Sequence, residues 1–141
     1  MAENNQVLVS QSLTKQYLLG EHTVHALRGV DIDIQKGEFV GIMGPSGSGK
    51  STLLHLLGGL DQPTDGDITL ADNRLKDLDG KHITLVRRHN VGFIFQFFNL
   101  LPTLTAEENV LLPIIIDGKK ASDFKERSDQ LLELVGLSDR R

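Results

Sequence analysis

The chain has 141 residues, of which 39% are apolar and 24% are charged, and its formal net charge is -4. These values are typical of a folded globular protein and exclude a disordered chain. The acidic balance provides no basic stripe for a nucleic-acid backbone, so we expect no nucleic-acid partner. The absence of cysteine excludes disulfides and thiolate metal sites and fits an intracellular protein.

The pattern of residues along the chain disfavours three further classes: membrane-spanning proteins, proteins with a signal peptide and histidine metal sites. No apolar run approaches the roughly 18 residues of a membrane span, and the N-terminus, MAENNQ, lacks the pattern of a signal peptide. The five histidines are scattered without the spacing of metal ligands, so we interpret them as surface or satisfied side chains. A role at a membrane would therefore require the protein to lie on the membrane or on a partner.

The first half of the chain predicts strands followed by a helix. Residues 7–34 read as an antiparallel ribbon, because VDIDI at 30–34 alternates apolar and acidic residues as a half-exposed strand does. FVGIM at 39–43 has no polar face, which is typical of a central strand that is covered on both sides. Leucines at helical spacing over 53–60 then predict a helix, which the following glycines and Pro63 end.

The second half contains further predicted elements with local start and stop signals. We expect, in chain order, a strand at 67–70, a helix at 77–88 and a buried strand, VGFIF, at 91–95. Thr105 and Glu108 have the spacing of a capping box and predict a short helix through Val110. Ser122 is a candidate cap for a last helix, which Gly136 would end.

The segment GIMGPSGSGKSTLL at 41–54 joins the predicted buried strand to the leucine-rich helix. Gly44, Gly49, Lys50 and Ser51 match GxxxxGKS, the phosphate-binding P-loop, in the strand–turn–helix context that this motif requires. A flexible glycine turn is the alternative, and this context makes it the weaker one. The predicted nucleotide-binding residues are Gly44, Pro45, Ser46, Gly47, Ser48, Gly49, Lys50, Ser51 and Thr52.

The chemistry of a triphosphate explains these residue types. Several donors must converge on its oxygens, and bare peptide N–H groups from about Ser46 to Thr52 can do so where larger side chains would keep the backbone away. Lys50 would reach the β and γ phosphates, and the Ser51 hydroxyl would be one ligand of Mg²⁺. The sequence therefore predicts a site for a nucleoside triphosphate with Mg²⁺.

Hydrolysis also needs a carboxylate near the metal and a residue that positions water. Asp117 is one candidate, because it follows the apolar run 114–116. Pro113 interrupts that run at its start, however, and Gly118 rather than a second acid follows it. We therefore interpret Asp117 as part of a loop or a helix end, and Asp72 is a weaker candidate still.

Two long stretches, residues 20–70 and 91–113, closely resemble the ATP-binding subunits of ABC transporters, most of all the bacterial subgroup for lipoprotein release and macrolide-type efflux. The resemblance implies an α/β fold with a P-loop NTPase core and an N-terminal antiparallel β-ribbon. It also implies a site for ATP and Mg²⁺, and a domain divided into a mainly antiparallel part at 1–36 and a P-loop core at 37–141.

The resemblance carries roles to residues outside the P-loop. Tyr17 matches the aromatic residue that stacks on adenine, and Gln96 matches the Q-loop glutamine that approaches Mg²⁺ and the attacking water. With Lys50, Gln96 is thus a predicted catalytic residue and, with Ser51, a predicted metal-binding residue. From the residues alone, a half-buried strand aromatic is the favoured interpretation of Tyr17, and Gln96 could equally satisfy loop backbone. The segment 97–104 would meet the transmembrane partner.

The sequence departs from this family at its end. Domains that it resembles continue with an LSGGQ-like signature, an apolar strand ending in Asp-Glu and a switch histidine, and the residues up to Arg141 contain none of these. We therefore expect an incomplete domain that lacks its C-terminal part. Strands at 39–43 and 91–95 would then have unpaired edges and an uncovered apolar face, which predicts marginal stability and aggregation.

The functional prediction is ATP binding, within an ABC transporter ATPase that couples ATP hydrolysis to transport through a membrane permease. The resemblance implies a homodimer at full length, and a cytoplasmic protein that is peripheral on the inner face of the bacterial membrane through its partner. The chain alone would bind nucleotide and hydrolyse it poorly. Two alternatives remain open: a complete small P-loop phosphotransferase using Asp117, and a non-catalytic nucleotide-binding module.

Overall fold

The structure, a computed structural model, describes residues 5–139. These residues divide into a first unit that ends at Phe93 and a second unit that begins at Ile94. Within the described range, no helix is both long and apolar enough to cross a membrane.

A long hairpin forms the edge of the sheet in the first unit. Strand β1 (Gln6–Leu19) pairs antiparallel with β2 (His22–Gln35). On its other side β1 pairs antiparallel with β3 (Asp65–Leu70), and β3 pairs with the short β4 (Asn73–Arg74). The order is thus β2-β1-β3-β4. The predicted N-terminal ribbon and the strand at 67–70 are both confirmed.

Helix α1 (Lys50–Leu57) packs its apolar face against this sheet. The leucines that predicted the helix supply that face, because every third or fourth residue points to the same side. Gly58 ends the helix, and its N–H donates to the carbonyl oxygen of Leu54 at 3.0 Å. The buried core of the unit consists of Leu13, Leu27, Leu53, Leu56, Leu57, Ile68, Leu70 and Leu75.

Helix α2 (Gly80–Asn90) follows a single 3-10 turn at Leu75–Asp77. Its start is set by Asp79, whose carboxylate accepts the backbone N–H of His82 at 2.8 Å. A carboxylate at this position satisfies an N–H group that has no acceptor within the helix. The predicted helix at 77–88 is therefore confirmed, with bounds shifted by two or three residues.

The second unit is helical, with α3 (Ala106–Ile116), a 3-10 turn at Ala121–Phe124 and α4 (Lys125–Leu134). The predicted capping box is confirmed: the N–H of Glu108 donates to Thr105 Oγ1 at 3.2 Å, and the N–H of Thr105 donates to Glu108 Oε2 at 2.7 Å. The predicted end at Val110 is wrong, because α3 continues through Pro113. Pro113 has no backbone N–H, so the helix loses one hydrogen bond at this residue and still continues to Ile116.

The predicted cap at Ser122 is also wrong. Its hydroxyl donates to the neighbouring Asp123 carboxylate at 3.1 Å, and α4 begins after Phe124 without a side-chain cap. A serine hydroxyl can bond to several nearby acceptors, so its presence does not fix a helix start. Gly136 does lie just past the end of α4, as predicted, and its N–H donates to the carbonyl oxygen of Glu133 at 3.0 Å.

The predicted buried strands at 39–43 and 91–95 are wrong. Over residues 5–139 neither segment pairs with a strand, and the side chains of Phe39, Met43 and Ile94 are almost fully exposed. An apolar strand is stable when neighbours pair with its backbone and layers cover both faces, and the described sheet supplies neither for these segments. The expected uncovered apolar surface is confirmed.

Candidate functional site

The P-loop turns an extended segment into α1. The N–H of Leu53 makes the first bond inside the helix, to the carbonyl oxygen of Gly49 at 2.8 Å. The N–H groups at 49–52 precede that bond and so have no acceptor within the helix. Together with the positive end of the helix dipole, they form a place where an anion is stabilised.

Two glycines give the turn its path, for different reasons. Gly49 has φ +89°, and a Cβ there would lie 2.5 Å from the carbonyl oxygen of Ala26. Gly47 has φ +78°, but a Cβ there would meet open space. Residues with side chains rarely adopt such φ values, so Gly47 is required by conformation alone and Gly49 by both conformation and close packing.

The Lys50 ammonium lies within the loop. Its Nζ donates to the carbonyl oxygens of Gly44 at 2.9 Å and Pro45 at 2.7 Å, and it is 3.4 Å from Ser48 Oγ. An ammonium group has three donors and no acceptor. Lys50 therefore braces the turn, and it can exchange these neutral acceptors for charged phosphate oxygens, which form stronger hydrogen bonds.

A cavity of about 390 Å³ opens beside this turn. Its walls are formed by Tyr17, Val24, His25, Ala26, Ser46, Gly47, Gly49, Lys50, Ser51 and Thr52. The structure thus brings Tyr17 together with the P-loop, whereas the predicted Gly44, Pro45 and Ser48 contact Lys50 outside the cavity wall.

Residues of β2 form one wall of this cavity, and the sequence analysis did not predict them. Val24 pairs with Tyr17 and His25 pairs with Gln16 across the hairpin. The turn at Gly20 and Glu21 could have indicated this register, because a short hairpin turn fixes which residues lie opposite each other.

The Tyr17 hydroxyl donates to Asp61 Oδ2 at 3.2 Å. Asp61 is a further residue that the sequence reasoning did not single out. Partial burial raises the pKa of Asp61, but hydrogen bonds from Lys15 and from the N–H of Gln62 outweigh it, so the pKa lies below its usual value. The carboxylate is therefore ionised at neutral pH.

The described residues fit a phosphate chain better than an isolated metal ion. Ser51 lies exposed in the first turn of α1. Among residues 5–139, no group of three or more His, Cys, Asp or Glu side chains is placed to hold a metal. Mg²⁺ accepts few protein ligands when phosphate oxygens and water complete its shell, so one serine hydroxyl beside an anion site suits it.

Gln96 and Asp117 belong to the second unit. Gln96 is exposed, in the chain segment that follows α2 and precedes α3, and its catalytic role stays a prediction. Asp117 directly follows α3, and its carboxylate is 2.8 Å from Lys119 Nζ. The interpretation of Asp117 as a helix end is confirmed, since the apolar run before it is helical.

A larger cavity, of about 650 Å³, lies between residues 59–66 and α2. Its charged side chains already have partners: Lys76 Nζ donates to Asp67 at 2.7 Å, and Arg87 Nη1 donates to the carbonyl oxygen of Gly59 at 3.1 Å. The smaller cavity differs because it also has the N–H groups at 49–52, which have no acceptor within the helix and can bind an anion. The smaller cavity is therefore the candidate site.

Known proteins are similar to this chain in sequence and in fold. Residues 27–141 match the family described as ABC transporter. The chain is 48% identical over 137 residues to the lipoprotein-releasing system ATP-binding protein LolD of Legionella pneumophila, covering 97% of this chain and 60% of that protein. It is 46% identical to the macrolide export ATP-binding/permease protein MacB of Rhodopirellula baltica, covering 91% of this chain and 19% of that protein.

A solved structure agrees with the fold. The dimeric, post-hydrolysis state of the ATP-binding cassette MJ0796 bound to ADP and Pi superposes with a TM-score of 0.81 at 46% identity. The match covers 90% of this chain and 55% of that one. The chain thus spans little more than half the length of several relatives that it matches.

Proposed function

Because this chain belongs to the ABC transporter family, we propose that it binds the triphosphate of ATP at residues 44–52. We further propose that it forms the nucleotide-binding part of an ATPase that drives transport through a membrane permease. The observation that carries the proposal is the convergence of the Lys50 side chain, the first-turn N–H groups of α1 and the Tyr17 ring on one cavity.

Each group has a distinct task in this proposal. The N–H groups at 49–52 and the Lys50 ammonium would hold the phosphates, and the Tyr17 ring would stack on the base. The Ser51 hydroxyl would be a protein ligand of Mg²⁺, which, when bound, neutralises charge on the phosphates. Gln96 would position water and contact Mg²⁺, as the family resemblance implies.

Binding without rapid turnover is the behaviour that we propose for the chain itself. The cavity walls, all of them described residues, carry no carboxylate, and Asp117 is paired with Lys119 in the second unit. A P-loop that lacks a nearby carboxylate lacks one part of the hydrolytic machinery. The ATPase activity is therefore proposed for the whole protein, of which this chain represents the P-loop portion.

The proposed partner is a membrane permease, on the inner face of the bacterial cell membrane. Its support comes from LolD and MacB, whose names describe a lipoprotein-releasing system and a combined ATP-binding/permease protein. The segment 97–104 would be the contact, because Phe97 and Phe98 expose large apolar side chains and such surface patches mark interaction sites. The dimeric relative supports a homodimer of the whole protein.

Equilibrium binding of a slowly hydrolysed ATP analogue with Mg²⁺ tests the site. We expect Lys50→Ala to weaken binding at least about tenfold, since a hydrogen bond to a charged group contributes about 1.5–3 kcal/mol. Lys81→Ala is the matched control, because it removes the same charge from an exposed position on α2. Equal affinity of Lys50→Ala and the unmodified chain would refute the site assignment.

A further inference from the structure

We propose that Lys15 and Asp61 are positioning residues for Tyr17, and that they hold its ring so that one face is presented to the base of the nucleotide. This inference rests on the proposed function, because it concerns the base-binding end of the same cavity. It adds a cluster of three side chains, Lys15, Tyr17 and Asp61, which we call the base clamp.

Direct contacts link the three side chains. The Lys15 ammonium lies over the Tyr17 ring, 5.0 Å from its centroid, and donates to Asp61 Oδ1 at 2.8 Å. The Tyr17 hydroxyl donates to the other oxygen, Asp61 Oδ2, at 3.2 Å. One carboxylate thus fixes both the edge of the ring and the cation on its face. An ammonium over a ring is attracted by the negative π face.

The base clamp is held in place by its surroundings. Lys15 and Tyr17 are two residues apart on β1, so their side chains leave the strand on the same side. Lys15 is only 12% exposed, and its Nζ also donates to the carbonyl oxygen of Gln62 at 2.6 Å. The N–H of Gln62 in turn donates to Asp61 Oδ1 at 2.7 Å.

Thr64 ties the loop that carries Asp61 to β1, through both its backbone and its side chain. The N–H of Thr64 donates to the carbonyl oxygen of Thr14 at 2.9 Å, and Thr64 Oγ1 accepts the N–H of Gln16 at 2.9 Å. These bonds keep the Asp61 carboxylate beside the strand before any ligand arrives. A group that is fixed in advance costs less conformational entropy on binding.

The consequence for the ligand follows from the two faces of the ring. Lys15 covers one face, and the ring also lines the cavity beside the P-loop. The other face is therefore available for a base. Any nucleobase can stack there, because every base has a π face. Losing the base clamp would let the ring turn and would weaken stacking while leaving the phosphate site unchanged.

Two ligands separate these effects: an ATP analogue, which has a base, and inorganic tripolyphosphate, which has none. We expect Tyr17→Phe and Asp61→Ala to weaken binding of the ATP analogue by about threefold to tenfold, because a ring that is less well positioned stacks less well on the base. Binding of tripolyphosphate should stay within twofold of the unmodified chain. Tyr17→Phe removes one hydroxyl only, so it tests the idea even if Asp61→Ala folds poorly.

Asp65→Ala is the matched control. It removes the same charge from a nearby residue whose carboxylate accepts the N–H of Gly66 at 2.8 Å rather than a bond from the base clamp. We expect this variant to bind both ligands as the unmodified chain does. A loss of affinity in Asp65→Ala equal to that in Asp61→Ala would overturn the proposal.

A spectroscopic signal tests the positioning without any nucleotide. Tyr17 is the single tyrosine of the chain, which has no tryptophan, so tyrosine fluorescence reports on this ring alone. We expect Asp61→Ala to change the emission of the free protein and Asp65→Ala to leave it unchanged. Unchanged emission in Asp61→Ala, or unchanged affinity for the ATP analogue in both clamp variants, would overturn the proposal.

The same experiments distinguish failure of the inference from failure of the proposed function. If the unmodified chain bound neither ATP analogue nor tripolyphosphate, the proposed function would fail and the inference with it. If the unmodified chain bound both and the clamp variants bound the ATP analogue equally well, only the inference would fail.

Discussion

Gly49 lies so close to Ala26 that a Cβ at Gly49 would come within 2.5 Å of the Ala26 carbonyl oxygen. This contact joins the start of α1 to β2 and sets the depth of the P-loop against the sheet. We expect Gly49→Ala to lower the free energy of unfolding by about 1–3 kcal/mol, because it adds both this clash and a strained φ of +89°. Urea denaturation would measure the loss.

Two other glycines serve as controls for Gly49→Ala. Gly47→Ala adds a strained φ without a clash, so its effect should be smaller. Gly80→Ala lies at the first residue of α2 with open space for a Cβ, and it should raise stability by up to about 1 kcal/mol. Equal losses in Gly49→Ala and Gly47→Ala would show that the contact with Ala26 has no effect of its own.

The capping box of α3 should stabilise the second unit. Thr105→Ala removes the acceptor for the N–H of Glu108, and loss of a helix cap costs about 0.5–2 kcal/mol. Amide hydrogen exchange within α3 would measure this locally. The effect should reach the first turns of α3 and leave α1 unchanged.

Ser122→Ala provides the contrast, because the Ser122 hydroxyl bonds to Asp123 rather than to a helix N–H. A surface substitution of this kind changes stability by within about 0.5 kcal/mol. If Ser122→Ala accelerated exchange in α4 as strongly as Thr105→Ala does in α3, the conclusion that Thr105 caps its helix and Ser122 does not would be wrong.

Local signals account for the parts of the fold that could be predicted. The capping box at Thr105 and the P-loop each have their determinants within a few neighbouring residues, and the leucines of α1 share one helical face. These interactions depend on the spacing of residues along the chain, so they can be predicted from a single sequence.

The parts that failed depend on partners that are distant in sequence. Residues 39–43 and 91–95 are as apolar as buried strands, but a strand also needs neighbours, and periodicity does not say whether they are present. The bond between Tyr17 and Asp61 spans 44 positions of sequence. Nothing in the composition near either residue indicates the other, so the base clamp became visible only in three dimensions.

The cluster around Asp67 should make the first unit sensitive to acid. Hydrogen bonds from Lys76 and then Arg74 hold the pKa of Asp67 below its ordinary value of 3.8. The carboxylate form is thus favoured in the folded state. The stability that this carboxylate contributes to the fold is present above pH 3.8, which is its pKa in the unfolded chain. This contribution is lost as the pH falls through the lower pKa of the folded state.

Asp67→Asn should therefore lower the free energy of unfolding at pH 7, and the difference from the unmodified chain should shrink as the pH falls below 3.8. Urea denaturation at several pH values would measure it. Because the partners of Asp67 are exposed, about 1 M salt should also reduce the difference at pH 7. A difference that grew on acidification would contradict the sign of this coupling.

Two substitutions in the first unit should distinguish a buried side chain from an exposed one by their effects on stability. Leu56 is completely buried in the core, whereas Phe39 is fully exposed. We expect Leu56→Ala to lower the free energy of unfolding by about 2–5 kcal/mol, because it leaves a cavity. Phe39→Ser should change it by within about 0.5 kcal/mol, since the phenyl ring has no buried contacts to lose.

Substitution of the exposed phenylalanines should reduce self-association. Exposed apolar patches promote contact between copies, and Phe39 shares this exposure with Met43 and Phe98. Sedimentation velocity should therefore show less association in Phe39→Ser and Phe98→Ser than in the unmodified chain. If Phe39→Ser instead destabilised the unit as much as Leu56→Ala, Phe39 would have to be part of the packed core, and the uncovered surface at 39–43 would not exist in solution.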